Sequence, residues 1–238
     1  MFENIIKNVH NRHPLIHCIT NYVSINDCAN IVLACGGAPI MAEDINEVSQ
    51  ITSICQGLDI NIGMLNDNKL SSMLKAGATA NELGIPVILD PVGAGSSDYR
   101  IKAVQNLMSN VQFGVIRGNV SEIKAIAAKQ GIHNIAAGVY ETMQKNKSAM
   151  GVEAGIADKI TDDNIKEMAD FINKLSQKTG AVIAVTGGID MVADENRVYA
   201  IRNGHKMMSL VTGAGCQLSA LTSAYVAADK EHILESVC

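Results

Sequence analysis

The sequence predicts an α/β fold in which a mostly parallel central sheet carries helices on both faces. Short runs rich in Ile, Val and Leu alternate with segments of helical spacing along most of the chain, as repeated strand–helix units do. Several of those runs stop on a polar or charged residue, notably Asp90, Arg117 and Thr186. Open parallel sheets bind their ligands beyond the carboxyl ends of the strands. The length of 238 residues, 47% of them apolar, suits one domain spanning 1–238 with a substantial core.

Taken in order, Leu15 to Ile19 is the first expected strand, set off by Pro14. Ser24 to Cys35 has apolar residues at Ile25, Cys28, Ala29, Val32 and Leu33, which is helical spacing. Ser24 with Asp27 resembles a capping box, and Gly36-Gly37 closes the helix. Ala38 to Met41 is a short strand, and Asp44 with Glu47 opens the next helix. Leu58 to Ile62 is a strand, followed by a helix from Asp67 to Leu83 that Gly84 ends. Pro86 to Leu89 ends on Asp90, Phe113 to Ile116 on Arg117, and Ala181 to Val185 on Thr186. Lys129 to Asp163 is the least regular stretch, and its scattered glycines and charges read as an insertion or an extended helical excursion. Gln217 to Asp229 and Glu231 to Cys238 read as the last helices.

With no Trp, three Phe and five Tyr, the core must be built from aliphatic residues and Met. A net charge of −5 without a basic block argues against nucleic-acid and membrane-surface partners. None of the six cysteines forms a CxxC pair, which argues against zinc. They sit in apolar patterns, as reduced thiols of a cytosolic protein do. Met1 to Arg12 has no apolar signal-peptide core and no apolar run reaches spanning length, so a cytoplasmic protein is expected.

The chemistry concentrates in Val211-Thr212-Gly213-Ala214-Gly215-Cys216. Two glycines let the backbone approach an anion, and the helix that follows presents free N–H groups and a partial positive charge to it. Cys216 lies in that field, so its thiol is expected to ionise below the reference value of about 8.5 and to serve as a base; the bland alternative is a small buried residue starting a helix. Asp90, in Asp90-Pro91-Val92-Gly93-Ala94-Gly95, can hold a magnesium ion through water or simply organise the turn. Arg117 can grip phosphate oxygens. Asn119 with Glu122 fits a capping box, which accounts for Glu122 without excluding a role near phosphates. Thr186 can donate to phosphate or end a turn. Asn21 and the Asn61-Ile62-Gly63 turn can shape a small polar pocket, whereas Met41 reads first as core. His17 and His205 read as satisfied core groups, and His10, His13, His133 and His232 as surface or fold residues.

Seven stretches together resemble the hydroxyethylthiazole kinase family of the ribokinase-like superfamily. They are Pro14 to Val23, Ala38 to Ala42, Asn61 to Gly63, Ile88 to Gly95, Ile116 to Asn119, Val185 to Gly187 and Val211 to Cys216, in family order along the chain. The glycine-rich loop marks only the superfamily. His17-Cys18-Ile19-Thr20-Asn21, Asp90 to Gly95, and a Cys at 216 where the superfamily usually has Asp are more specific. The resemblance implies a ribokinase-like fold and ATP-dependent phosphorylation of the hydroxyethyl group of 4-methyl-5-(2-hydroxyethyl)thiazole, with magnesium. It implies that Met41 and Gly213 contact the thiazole alcohol with Asn21 and Gly63 nearby, that Arg117 and Thr186 bind ATP, that Asp90 and Glu122 support magnesium and phosphates, and that Cys216 sits by the reacting hydroxyl. It also implies a homotrimer with active sites between subunits. Family members normally continue past residue 238, so a chain shortened at its C-terminus is expected. Two other readings remain at this level: a related kinase of a pyrimidine or pyridoxal-type alcohol, and a non-catalytic thiazole binder. A nicotinamide oxidoreductase is disfavoured, because no GxGxxG follows an early strand with an acidic residue at the required distance.

Overall fold

A computed structural model describes residues 2–132 and 159–238. The strands are β1 (Leu15–Ile19), β2 (Ala38–Ile40), β3 (Gly57–Asn61), β4 (Val87–Asp90), β5 (Val115–Asn119), β6 (Val182–Thr186), β7 (Asp190–Ala193) and β8 (Val198–Ile201). They form one sheet in the order β2-β1-β3-β4-β5-β6-β7-β8. The first six are parallel, and β7 and β8 add an antiparallel hairpin at one edge. The helices are α1 (Phe2–Arg12), α2 (Ile25–Ala34), α3 (Val48–Ile54), α4 (Asp67–Glu82), α5 (Asp98–Asn110), α6 (Val120–Lys129), α7 (Ile165–Thr179), α8 (Ala214–Ala228) and α9 (Ile233–Val237).

The period-two alternation of the strands sorts the core into two layers. Leu58, Ile60, Val87, Leu89, Ile116, Ile183 and Val185 bury against α3 to α7. Ile16, Cys18, Ile88, Val115, Val182 and Ala184 bury on the opposite face, against α1, α2, α8 and α9. α8 is rich in Ala and Ser and lies close to the sheet. A Cβ on Gly57 would come within 3.1 Å of Ala227 Cβ and 3.2 Å of Ser223 O, so glycine is what admits the helix there.

Sequence and structure part in several places. β5 continues through Arg117 to Asn119, because it is paired with β6 along that length. The expected capping box at Ser24 does not form: Ser24 Oγ donates instead to Asn21 Oδ1 at 3.1 Å, and the helix has no side-chain cap. The box at Asn119 and Glu122 does form. His205 is exposed rather than core, its ring accepting from Met207 N at 3.2 Å. His17 is buried, bonded to Thr52 Oγ1 at 2.9 Å and Ala42 O at 2.8 Å, and burial pushes its pKa down. Most of the irregular stretch from Lys129 to Asp163, residues 133–158, lies outside the described residues, as does His133. Among the described residues no helix is long and apolar enough to cross a membrane.

Candidate active site

The strand ends and α8 converge. Asn61, Asp90, Arg117 and Thr186 occupy alternate positions that all face α8, at the carboxyl ends of β3, β4, β5 and β6. Asn61 and Asp90 are register partners, and Asn61 Nδ2 donates to Asp90 Oδ2 at 2.8 Å. Ser219 Oγ, from α8, donates to the same oxygen at 2.9 Å. Arg117 Nη1 lies 3.8 Å from it, and Arg117 Nη2 donates to Thr186 Oγ1 at 2.8 Å. Asp90 is fully buried, and its Oδ1 has no hydrogen-bond partner. Burial raises its pKa, while Arg117, Ser219 and Asn61 pull it back.

Asn21 joins the loop after β1 to this line. Its Nδ2 donates to Asn61 Oδ1 at 3.1 Å and to Cys216 Sγ at 3.2 Å. Asn61 Oδ1 also accepts from Gly63 N at 2.8 Å. A side chain at Gly63 would sit 2.9 Å from both Asn21 Nδ2 and Asn61 Oδ1. A bonded path therefore runs from Cys216 through Asn21 and Asn61 to Asp90. Met41 is half-buried beyond the end of β2 and packs on the α8 side of the core.

Gly213 caps α8 in the left-handed region, at φ 74. A Cβ there would meet Ser24 Cβ at 2.6 Å, so both the dihedral and the space require glycine. At Gly215 a Cβ would come within 2.8 Å of Arg117 Nη1. No side chain caps this helix, which leaves first-turn N–H groups for an anionic oxygen. The expected lowering of the Cys216 pKa is not found. Burial, followed by the nearby Asp90 charge, pushes the thiol up, outweighing hydrogen bonds from Ser24, Asn21 and Asn61.

Glu122 is buried with both oxygens bonded, Oε1 accepting from Gly93 N and Oε2 from Asn119 N, each at 2.8 Å. Burial and then Asp90 raise its pKa. Among the described residues no three His, Cys, Asp or Glu converge as a metal cage. Two neighbouring buried carboxylates, one with a free oxygen, instead fit a cation held mainly by phosphate and water.

Two basic residues here have no signal in the sequence, because their partners lie far along the chain. Lys69, on α4, donates to Thr20 O and pairs with Glu43 Oε2 at 2.8 Å, so it ties the loop after β1 to the loop after β2. Its ammonium also lies 4.7 Å from the Tyr22 ring centroid. Arg100, on α5, bonds carbonyls after β3 and β4. Two surface clefts lie at the other end of the sheet, one lined by residues such as Asp194 and Glu235 and one by Asn81 and Asn110; neither includes a residue named above as a site candidate.

A sequence profile of the Hydroxyethylthiazole kinase family matches residues 6–238. A hydroxyethylthiazole kinase of Clostridium acetobutylicum is 51% identical over 242 residues, covering 100% of this chain and 83% of that protein. One of Desulfovibrio desulfuricans is 44% identical over 221 residues, covering 93% and 72%. The solved structure of the hydroxyethylthiazole kinase protein from Pyrococcus horikoshii matches with a TM-score of 0.82 at 32% identity, covering 99% of this chain and 79% of that one. Bacillus subtilis pyridoxal kinase matches with a TM-score of 0.61 at 16% identity, covering 94% and 87%, a likeness of fold.

Proposed function

The chain belongs to the hydroxyethylthiazole kinase family, whose members are ribokinase-like phosphotransferases using ATP as co-substrate, and on that premise we propose how its residues phosphorylate the thiazole alcohol. The observation that carries the proposal is the bonded path from Cys216 through Asn21 and Asn61 to Asp90, which joins an acceptor side to a phosphate side.

On the acceptor side, Asn21, Gly63, Gly213 and Met41 hold the thiazole alcohol with its hydroxyl toward Cys216. On the donor side, Arg117 and Thr186 bind ATP, and uncapped N–H groups of α8 receive the moving phosphoryl. Asp90 and Glu122 would hold Mg²⁺ through water and phosphate. When bound, Mg²⁺ neutralises charge on the phosphates. The thiolate form of Cys216 takes up the hydroxyl proton and becomes the thiol. Phosphoryl transfer depends mainly on alignment and charge neutralisation, so the small thiolate fraction left by a raised pKa suffices for a modest share of the rate.

A homotrimer belongs to the same proposal. Tyr22, Val23, Leu210 and Val211 flank Asn21 and Gly213 with their side chains exposed, as residues covered by a second subunit would be. A three-chain particle by light scattering supports this, and a monomer holding full activity removes it. We assign the enzyme to the cytoplasm. The substrate reading is tested by coupled ADP release with the thiazole alcohol, a hydroxymethylpyrimidine and pyridoxal. The thiazole should be preferred, and equal turnover of the pyrimidine overturns that preference. Thiazole binding with no response to nucleotide in calorimetry would mark a binder instead.

A further inference from the structure

Arg100 reaches from α5 to three carbonyls. Its Nη1 donates to Ile62 O at 2.6 Å and to Val92 O at 2.8 Å, and its Nη2 donates to Gly63 O at 2.8 Å. The acceptors lie on two loops. Ile62 and Gly63 follow Asn61, and Val92 follows Asp90 by two residues. The Val92 carbonyl and the Gly93 N–H belong to one peptide group, and that N–H donates to Glu122 Oε1 at 2.8 Å. Both poles of a single peptide plane are thus held, the carbonyl by a cation and the amide by a carboxylate. Gly93 has φ 67, and a side chain there would be tight against Ser96 Oγ at 3.3 Å and in ordinary contact with Arg100 Cδ at 3.7 Å. Since Glu122 Oε2 also takes the Asn119 N–H, bonds continue from the loop after β3, through the loop after β4, to the end of β5.

We infer that Arg100 is a positioning residue for the transfer. Its guanidinium sets the separation between the acceptor side, Gly63 with Asn61, and the donor side, Asp90 with Glu122. A rigid fork of five donors holds several carbonyls at fixed spacing, whereas a lysine ammonium on a flexible stem does not. The inference rests on the proposed site. A misplacement of about 1 Å far from the chemistry can cost about 10²-fold in rate, and nothing else among these loops bonds both Gly63 O and Val92 O within the described residues.

The test uses Arg100→Lys and Arg100→Ala in the full chain, with kinetics and melting temperature measured on the same preparations. In Arg100→Ala, kcat should fall about 10²-fold, the KM for the thiazole alcohol should rise, and the KM for ATP should stay within about twofold. Millimolar guanidinium ion should restore part of kcat. In Arg100→Lys the same split of KM values should appear, which keeps the test open if the alanine variant does not fold. Folded variants with unaltered kcat and thiazole KM overturn the inference. So does a loss of kcat that tracks only the unfolded fraction and ignores guanidinium. Asn61→Ala with unaltered kinetics would instead overturn the site itself, however the Arg100 variants behave.

Discussion

Asn61 Nδ2 donates to Asp90 Oδ2 at 2.8 Å, and the two residues are register partners at the ends of adjacent parallel strands. The parallel ladder and the two-residue alternation aim both side chains at the same helix. Asn61 uses its other pole, Oδ1, to accept from Asn21 and from the Gly63 backbone. One amide therefore couples the loop after β1 to the carboxylate at the end of β4.

Cys216→Ala should lower kcat while leaving thiazole affinity nearly intact, because loss of a base acts on the transition state more than on the ground state. General bases contribute about 10²–10⁴-fold, and a thiol pushed up by burial and Asp90 belongs near the lower end. Steady-state kinetics with calorimetry on the same protein checks this. A variant with unaltered kcat takes Cys216 out of the mechanism.

Arg117→Ala should raise the KM for ATP. It also strips the buried Asp90 carboxylate of its nearest cation, so the melting temperature should fall with a loss of about 3 kcal/mol. Thiazole binding measured without nucleotide should survive in the folded fraction. Normal ATP dependence with lost thiazole affinity would reverse the assignment.

Gly213→Ala should lose both stability and thiazole affinity. It meets left-handed strain at φ 74 and a contact of 2.6 Å with Ser24 Cβ. Gly180→Ala is the control, since Gly180 has φ 72 but nothing within 4 Å of the added carbon. The strain common to both is about 1–2 kcal/mol. Thermal melts should show Gly213→Ala as the more damaging change, and equal losses would mean that the Ser24 contact is of no consequence.

Asp59→Asn should flatten the dependence of stability on pH. Asp59 is fully buried on β3 with neither carboxylate oxygen bonded, and burial, then Asp90, raises its pKa well above the usual value. Such an acid is protonated in the folded chain at pH values where the unfolded chain has released the proton. Its contribution to stability is complete below about pH 4, the unfolded value, and is lost as pH rises through the folded value, at up to about 1.4 kcal/mol per pH unit. Wild type and variant should melt alike near pH 4, with the variant ahead by pH 8. A gap independent of pH rules this out.

The order of strands and helices was legible because it is written locally. Apolar periodicity marks the elements, and Gly36 and Gly84 mark helix ends because their left-handed dihedrals suit glycine. The Asn119–Glu122 box was legible for the same reason, since its two bonds span three residues. The β7–β8 hairpin was missed because β8 has no fully buried residue and so shows little apolar alternation. Ser24 misled because its hydroxyl had a competing local partner in Asn21, three residues back.

Local pattern alone names the strand-end residues and the glycine loop that begins α8. Which of them touch follows from the folded sheet order, which brings Asn21 to Cys216 and Arg117 to Thr186 across long stretches of chain. The tertiary structure also decided the direction of the Cys216 shift. A helix N-terminus can be read from sequence, but desolvation is a property of everything packed around the sulfur, and here it outweighs the helix.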